Sequence, residues 1–595
     1  MASAQPTAVL WDDAVAERVV AHVRDAATGI EPAHARDAAT GIEPAHARDA
    51  ATGIKPAHPG DAAAGSDPAH PIVCASGISP SGAIHLGNLR EVFTTHIVAE
   101  ALRRHGHEVV HLHSWDDYDR FRKVPAGVDP AFERYIGMPL ASVPDPLGEL
   151  PSYADRYMDQ FRSELEVLGV RMSERRQSEL YPVGTYNAAI RRAMDERERV
   201  FDILAEQQTA GRHEGSIQER RRAYYPFKPY CTECHRDDTR VTAWDGTVAT
   251  WECRHGHAGE MSLADGEAIS GKLVWKVDWP MRWAHERVSF EPAGEDHHAP
   301  TGSFTVGRPL VSELFGWTAP ESVVYSFVTL AGVGGKMSGS AGGAAVASTA
   351  FEVIEPAIVR WLYVRRRPEQ SFAIDLSPRA VQRLYDEWDR FGAGVHGEDP
   401  DPADAAIYRE STESSAGPVL RTQRPVSFRL LASVADITQG DPTQMARIVS
   451  AHLDGDPASD DPATLLAELE PRLDCAIHYA AELVPEAERT RVRGAFSRET
   501  FDALDERDRE GVTLLAQGLG EHWSLEGLTG LIYAVPKQLL GLAPDAEADA
   551  GVKARQRAFF KAVYRLLCDA ETGPRLPTLL LSIGRDRAHR LLVGD

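Results

Sequence analysis

Long apolar runs are missing from this 595-residue chain. The longest, such as Thr578-Leu-Leu-Leu-Ser582, fall far short of the roughly 20 residues a membrane-spanning helix needs, so no membrane role is expected. The start, Met-Ala-Ser-Ala-Gln, lacks a basic stretch followed by an apolar one, so no secretory signal is read and a cytoplasmic setting is expected. Cysteine is sparse, and six residues cannot make a disulfide scaffold in a chain this long. Cys74, Cys475 and Cys568 stand apart in apolar surroundings and read as core thiols. Positive charge is in deficit: 64 Lys and Arg face 88 Asp and Glu, a formal net charge of -24. That excludes general coating of nucleic acid but leaves room for a local basic face, with candidates at Arg171 to Arg176, Arg220 to Arg222 and Lys553 to Arg565.

The length exceeds what one hydrophobic core supports, so several domains are expected. Near the start, Arg24-Asp-Ala-Ala-Thr-Gly-Ile-Glu-Pro-Ala-His-Ala35 recurs from Arg36 and decays from Arg48 onward. Each unit carries Ala, Gly and Pro with one isolated Ile, too little apolar surface to offset backbone ordering. Residues 21 to about 70 therefore read as a disordered insertion within an extension spanning 1–70, and His34, His46 and His58 as copies of a repeat.

The texture changes at Pro71. Ile72 to Ser76 reads as a strand, Gly77-Ile-Ser-Pro-Ser-Gly82 as a loop, and His85 to His105 as a helix with Leu86, Leu89, Phe93, Ile97 and Leu102 on its apolar face. Glu108 to His113 reads as the next strand. Strand, glycine loop, helix, strand opens a parallel α/β domain, whose ligands bind beyond the carboxyl ends of the strands. Further strands are expected at Lys272 to Val277 and Val323 to Leu330. After about Glu352 helical patterns dominate.

Three constellations carry chemistry. In Pro80-Ser-Gly-Ala-Ile-His-Leu-Gly-Asn88, glycines Gly82 and Gly87 let backbone approach a nucleotide, the helix N-terminus offers N–H groups to phosphate, and His85 can donate to a developing negative charge. In Gly332-Val-Gly-Gly-Lys-Met-Ser-Gly-Ser-Ala-Gly342, a glycine-rich loop after an apolar strand carries Lys336, whose ammonium suits a triphosphate. In Cys231-Thr-Glu-Cys234 followed by Cys253-Arg-His-Gly-His257, a CxxC knuckle and a Cys-x3-His pair have the spacing of a tetrahedral structural zinc site. His257 is the preferred fourth ligand and His255 its rival.

The first two constellations, in this order, resemble the paired "HIGH" and "KMSKS" signatures of class I aminoacyl-tRNA synthetases. Ala75-Ser-Gly-Ile-Ser-Pro-Ser-Gly82, Ser114-Trp-Asp-Asp-Tyr-Asp119, Trp275-Lys-Val-Asp-Trp-Pro-Met-Arg-Trp283, Phe290-Glu-Pro-Ala-Gly-Glu-Asp-His-His298, Gly335-Lys-Met-Ser338, Arg557-Ala-Phe-Phe-Lys-Ala-Val-Tyr564 and Gly573-Pro-Arg-Leu576 are similar in particular to the class I lysyl-tRNA synthetases. The likeness covers roughly residues 72 to 595. Two departures stand out: Asn88 occupies the place of a second histidine, and Gly339 that of a second lysine.

The resemblance implies an ATP-dependent, two-step lysine–tRNA ligase that activates L-lysine with Mg2+ present and passes it to tRNA(Lys). It implies catalytic roles for His85, Asn88, Lys336 and Ser338, and ATP contacts from Pro80, Ser81, Gly82, His85, Gly87, Asn88, Lys336, Met337 and Ser338. Gly77, Ser79 and His297 are implied to line the amino-acid and adenylate pocket. A lysine ammonium also wants a carboxylate and aromatic faces, which Trp275, Asp278 and Trp279 offer, although strand alternation would put Asp278 on the opposite side from the tryptophans. The expected architecture is an α/β Rossmann-type catalytic domain over 71–345, with an insertion at about 150–270 holding the zinc module 228–260. An all-α anticodon-binding domain over 346–595 follows, in a monomer. The alternatives are a synthetase for glutamate, a small-molecule nucleotidyltransferase, and a paralogue that binds RNA or senses amino acid without charging.

Overall fold

A computed structural model describes residues 10–29, 71–206, 216–331, 347–424, 426–453 and 461–594. They fall into two compact units. The first comprises residues 1–347, 361–374 and 405–418, and the second 348–360, 375–404 and 419–595. Among the described residues no helix is long and apolar enough to cross a membrane.

The first unit is built on a parallel four-stranded sheet. Its strands are β1 (Ile72–Ile78), β2 (Val109–Trp115), β3 (Ser173–Arg176) and β4 (Val288–Phe290), in the order β3-β2-β1-β4. The β1–β2 register runs from Ile72 opposite Val109 to Ile78 opposite Trp115. Helix α2 (Leu86–Arg104) makes the first crossover and buries Leu86, Leu89, Phe93, Ile97 and Leu102, the apolar face read from the sequence. The segment expected as one strand at Val323 to Leu330 is two, Val324–Tyr325 and Val328–Leu330. The first pairs in parallel with Ala293–Gly294 and the second with Phe372–Ile374.

Two expectations are corrected. Helix α1 (Trp11–Gly29) runs into the first repeat unit, so residues 21–29 are helical, while the rest of that unit and the later copies lie outside the described residues. This helix packs into the first unit: Val15, Ala16 and Val19 share a core with Cys74, Val98, Leu102 and Phe290. Asp12 accepts from Arg104 at 2.7 Å, and the Trp11 indole donates to Val364 O at 3.2 Å. The second correction concerns Lys272 to Val277. The strand covers only Gly271–Leu273, and helix α3 (Trp275–His285) begins directly after it.

The insertion region carries an antiparallel sheet of Thr239–Trp244, Val248–Cys253 and Ala258–Ser262. The second unit, by itself, is mainly helical. One of its cores joins Val512, Leu515, Leu528, Ile532, Phe559, Val563, Leu566, Leu579 and Leu592. A buried ion pair, Arg472 to Glu355 at 2.6 Å, is extended by Asp389 at 2.9 Å.

Leu102 is fully buried between α1, α2 and the sheet. Leu102→Ala is expected to lower unfolding free energy by about 2–5 kcal/mol in urea denaturation. Deleting residues 1–29 should also lower the midpoint. An unchanged midpoint for the deletion would show that α1 is dispensable to the core.

Candidate functional site

A cavity of about 380 Å3 opens at the carboxyl ends of β1 and β2, the position where parallel α/β sheets hold ligands. Gly77, Ser79, Trp275, Trp279 and His297 all line it. Helix α3 explains how the tryptophans come together. Trp275, Trp279 and Trp283 are four residues apart, so they stack along one helical face with ring centroids 5.1 and 5.2 Å apart. His297 meets Trp279 edge-on at 5.3 Å.

Asp278 does not line the cavity. The strand alternation invoked for it does not apply, because the segment is helical, and its carboxylate is fully buried beneath the floor. It accepts from the Tyr181 hydroxyl and lies 3.4 Å from both Lys272 and Arg282. Arg282 in turn donates to Asp116 at 2.8 Å and to Ser114 at 2.6 Å, while Lys272 donates to Asp119 at 2.7 Å. Asp278 therefore holds the two cations that brace the cavity floor.

The cavity also holds acids that sequence reasoning did not name. Glu91 accepts from the Gly77 N–H at 2.8 Å and from the Tyr325 hydroxyl at 2.8 Å. Glu291 accepts from the Trp283 indole at 2.5 Å. Burial lifts Glu91 to about 8, Glu291 to about 7 and Asp116 to about 6. Asp116 has Arg282 as its counter-ion, whereas Glu91 and Glu291 have no ion pair among the described residues. Glu291, Asp116 and Arg282 lay inside motifs already quoted. Glu91 had one faint signal, an acid beside the buried stripe of Leu86, Leu89 and Phe93.

The β1–α2 turn stands beside this cavity in the chain. Ser81 is exposed at its tip, and Pro80, Gly82 and His85 are buried. His85 caps α2, and its N–H donates to the Asn88 carboxamide at 3.3 Å, which gives Asn88 a local capping role. A Cβ on Gly87 would lie 2.9 Å from the His85 ring and 3.3 Å from Val328 O. The turn thus abuts the strand that leads toward Lys336, Met337 and Ser338, which themselves lie outside the described residues, as does Gly339.

In the insertion, Cys231, Cys234, Cys253 and His257 bring their ligand atoms within 4.8 Å of one another. Cys231 Sγ lies 3.3 Å from His257 Nδ1, and Cys234 Sγ lies 3.7 Å from Cys253 Sγ. His255 turns outward to Asp238 at 3.3 Å.

Residues 61–414 match the family model described as tRNA synthetases class I (K). A Streptomyces coelicolor protein named lysine–tRNA ligase is 44% identical over 547 residues, covering 86% of this chain and 92% of that one. One of the same name from Pyrococcus horikoshii is 35% identical over 512 residues, covering 85% and 92%. A third, from Treponema pallidum, is 34% identical over 526 residues, covering 86% and 93%.

Asp278→Ala removes one of two carboxylate partners from each of Lys272 and Arg282 and is expected to destabilise the fold by about 3–5 kcal/mol in chemical denaturation. A stable variant defective only in ligand affinity would return Asp278 to the ligand site.

Proposed function

This chain belongs to the class I (K) tRNA synthetases, and from that membership we propose that it is a lysine–tRNA ligase, activating L-lysine with ATP and transferring it to tRNA(Lys). The observation that carries the choice of amino acid is the pair Glu91 and Glu291. A buried carboxyl group, Glu291, and a half-buried one, Glu91, without an ion pair among the described residues and beside the faces of Trp275 and Trp279, suit an ammonium. A glutamate side chain would bring like charge beside Glu91 and Glu291, and Arg282 in the same lining is already engaged by Asp116 and Asp278.

The chemistry follows from positions around that pocket. Gly77 and Ser79 line the side from which the substrate carboxylate can attack the α-phosphorus of ATP. The nucleotide lies along Pro80, Ser81 and Gly82 and against the α2 terminus, where Gly87 admits close approach and His85 and Asn88 face the phosphates. Mg2+ supplies neutralisation of triphosphate charge when bound. His85 and the ammonium of Lys336, with Met337 and Ser338 in the same loop, stabilise charge on departing pyrophosphate. Contact between Gly87 and the Val328 strand supports this convergence of the two loops. His297, edge-on to Trp279, limits the pocket on the amino-acid side. The ribose hydroxyl of tRNA then displaces AMP, and no covalent enzyme intermediate is needed. The helical second unit takes the anticodon.

Cys231, Cys234, Cys253 and His257 would hold one structural Zn2+. Three sulfurs and one imidazole nitrogen lie within 4.8 Å of one another, the donor set of a structural zinc site. Atomic emission on the purified protein should find about one zinc per chain, lost together with thermal stability on treatment with a strong chelator. Metal-free protein of unchanged stability would remove this assignment.

Lysine affinity should depend on pH in a defined direction. With Glu91 lifted to about 8 and Glu291 to about 7, both are largely protonated below neutrality, and a cation binds only as a proton leaves. The KM for lysine in ATP–pyrophosphate exchange should fall as pH rises from 6 to 8, roughly tenfold per unit for each proton displaced, and then level off. Glu91→Gln should raise that KM on the order of 10- to 100-fold and flatten the profile. Exchange driven by glutamate would overturn the lysine reading, and tRNA binding with no exchange would indicate a non-charging paralogue.

A further inference from the structure

The β1–α2 turn, along which the nucleotide is proposed to lie, is anchored unevenly. Residues 79–84 belong to neither strand nor helix. Pro80, Gly82 and Ile84 are buried and hold its flanks, while Ser81 stands in solvent at the tip. Within the turn, the Ser81 N–H donates to Ser79 O at 2.8 Å. Among the described residues, one hydrogen bond reaches 79–84 from another element: the Tyr153 hydroxyl donates to Ser81 O at 3.0 Å.

That hydroxyl sits on a fixed support. Tyr153 opens the helix Tyr153–Val167, whose N-cap Ser152 accepts from the Asp155 N–H at 3.1 Å. The Tyr153 N–H donates to Val143 O at 2.8 Å. Its ring is fully buried, edge-on to Phe121 at 5.0 Å and to Tyr157 at 4.9 Å. Asp155 pairs with Arg176 at 2.9 Å, and Arg176 with the buried Asp117 at 2.8 Å. Arg176 ends β3 and Asp117 lies two residues past β2, so the start of this helix is tied to the sheet.

A phenylalanine would fill the same apolar slot. What tyrosine adds is one donor, and the carbonyl it meets belongs to the exposed tip of the turn rather than to the core. Burial pushes the proton affinity of Tyr153 well above the ordinary phenol range, so the hydroxyl remains a donor at any working pH. A turn tethered at its tip keeps its shape before a ligand arrives. Without the tether, the entropy of ordering the tip opposes ligand binding.

We infer that Tyr153 is a positioning residue for ATP: its hydroxyl holds Ser81 so that the turn is ready to receive the nucleotide. The identity of the ligand rests on the proposed ligase reading. Tyr153 is not among the residues lining the cavity, so its effect passes through the turn and leaves the amino-acid end untouched.

The test compares the full chain with Tyr153→Phe, which removes the donor and keeps the ring. ATP affinity in the presence of Mg2+ is measured by titration calorimetry, and KM for ATP and for lysine by pyrophosphate exchange. Hydrogen–deuterium exchange follows the amides of 79–84 in the nucleotide-free chain. Tyr153→Phe should bind ATP roughly 3- to 10-fold more weakly, the worth of one neutral hydrogen bond, and its KM for ATP should rise by the same factor. Its KM for lysine should be unchanged, and the amides of the turn should exchange faster. Leu102→Ala, which loosens the core away from the turn, should lose stability and keep its ATP affinity. Unchanged ATP affinity in Tyr153→Phe, or unchanged amide exchange in the turn, would overturn the inference and leave the ligase reading standing. An equal loss of ATP affinity in Leu102→Ala would do the same, since general loosening would then account for it. Weaker ATP binding by Tyr153→Phe, from a chain whose unaltered form shows no lysine-dependent pyrophosphate exchange, would keep the tether and sink the ligase reading instead.

Discussion

Arg282 organises the first unit's cavity, because a guanidinium removed from water must be surrounded by acceptors. It reaches Asp116 just past the end of β2, Ser114 two residues earlier, and Asp278 on its own helix. Its face also lies 5.3 Å from the Trp275 ring. One side chain thus ties α3 to the sheet at the very end where a ligand enters. Asp278 and Lys272 complete the set, and Tyr181 closes it from below. The tryptophans that face the cavity hold their positions because the helix carrying them is fixed by this buried charge network.

That network also sets a contrast within the same few ångströms. Asp116, Asp119 and Asp278 are matched by Arg282 and Lys272, whereas Glu91 and Glu291 are held by neutral donors alone. Neutral donors orient a carboxylate without cancelling its charge, and burial then raises its proton affinity. A cation entering the cavity meets two acceptors already in place and displaces protons rather than another cation. Selectivity of this kind needs no large movement of backbone.

How much of this was legible varied with the distance over which each feature is assembled. The Cys231, Cys234, Cys253 and His257 cluster is local to one small sheet, so spacing in sequence carried nearly all its geometry. The β1–α2 turn was readable for the same reason. Trp275, Asp278 and Trp279 were misplaced because aromatic and β-branched residues suggested a strand, although tryptophans at every fourth position already carried the helical period. Glu91 could not be read as a site residue, since its partners Gly77 and Tyr325 lie on two separate strands. Helix α1 was hidden by the repeat it runs into, whose composition argued for disorder.

The boundary between the units was the least legible feature. A composition shift suggested one cut near residue 346, yet residues 361–374 and 405–418 return to the first unit. The strand Phe372–Ile374 supplies the neighbour of Val328–Leu330, the last strand before the glycine-rich segment. A fragment begun at residue 347 would carry that strand away and leave the other half of the protein with an open sheet edge. The chain passes between the two units several times, so no single cut in the sequence yields both of them whole.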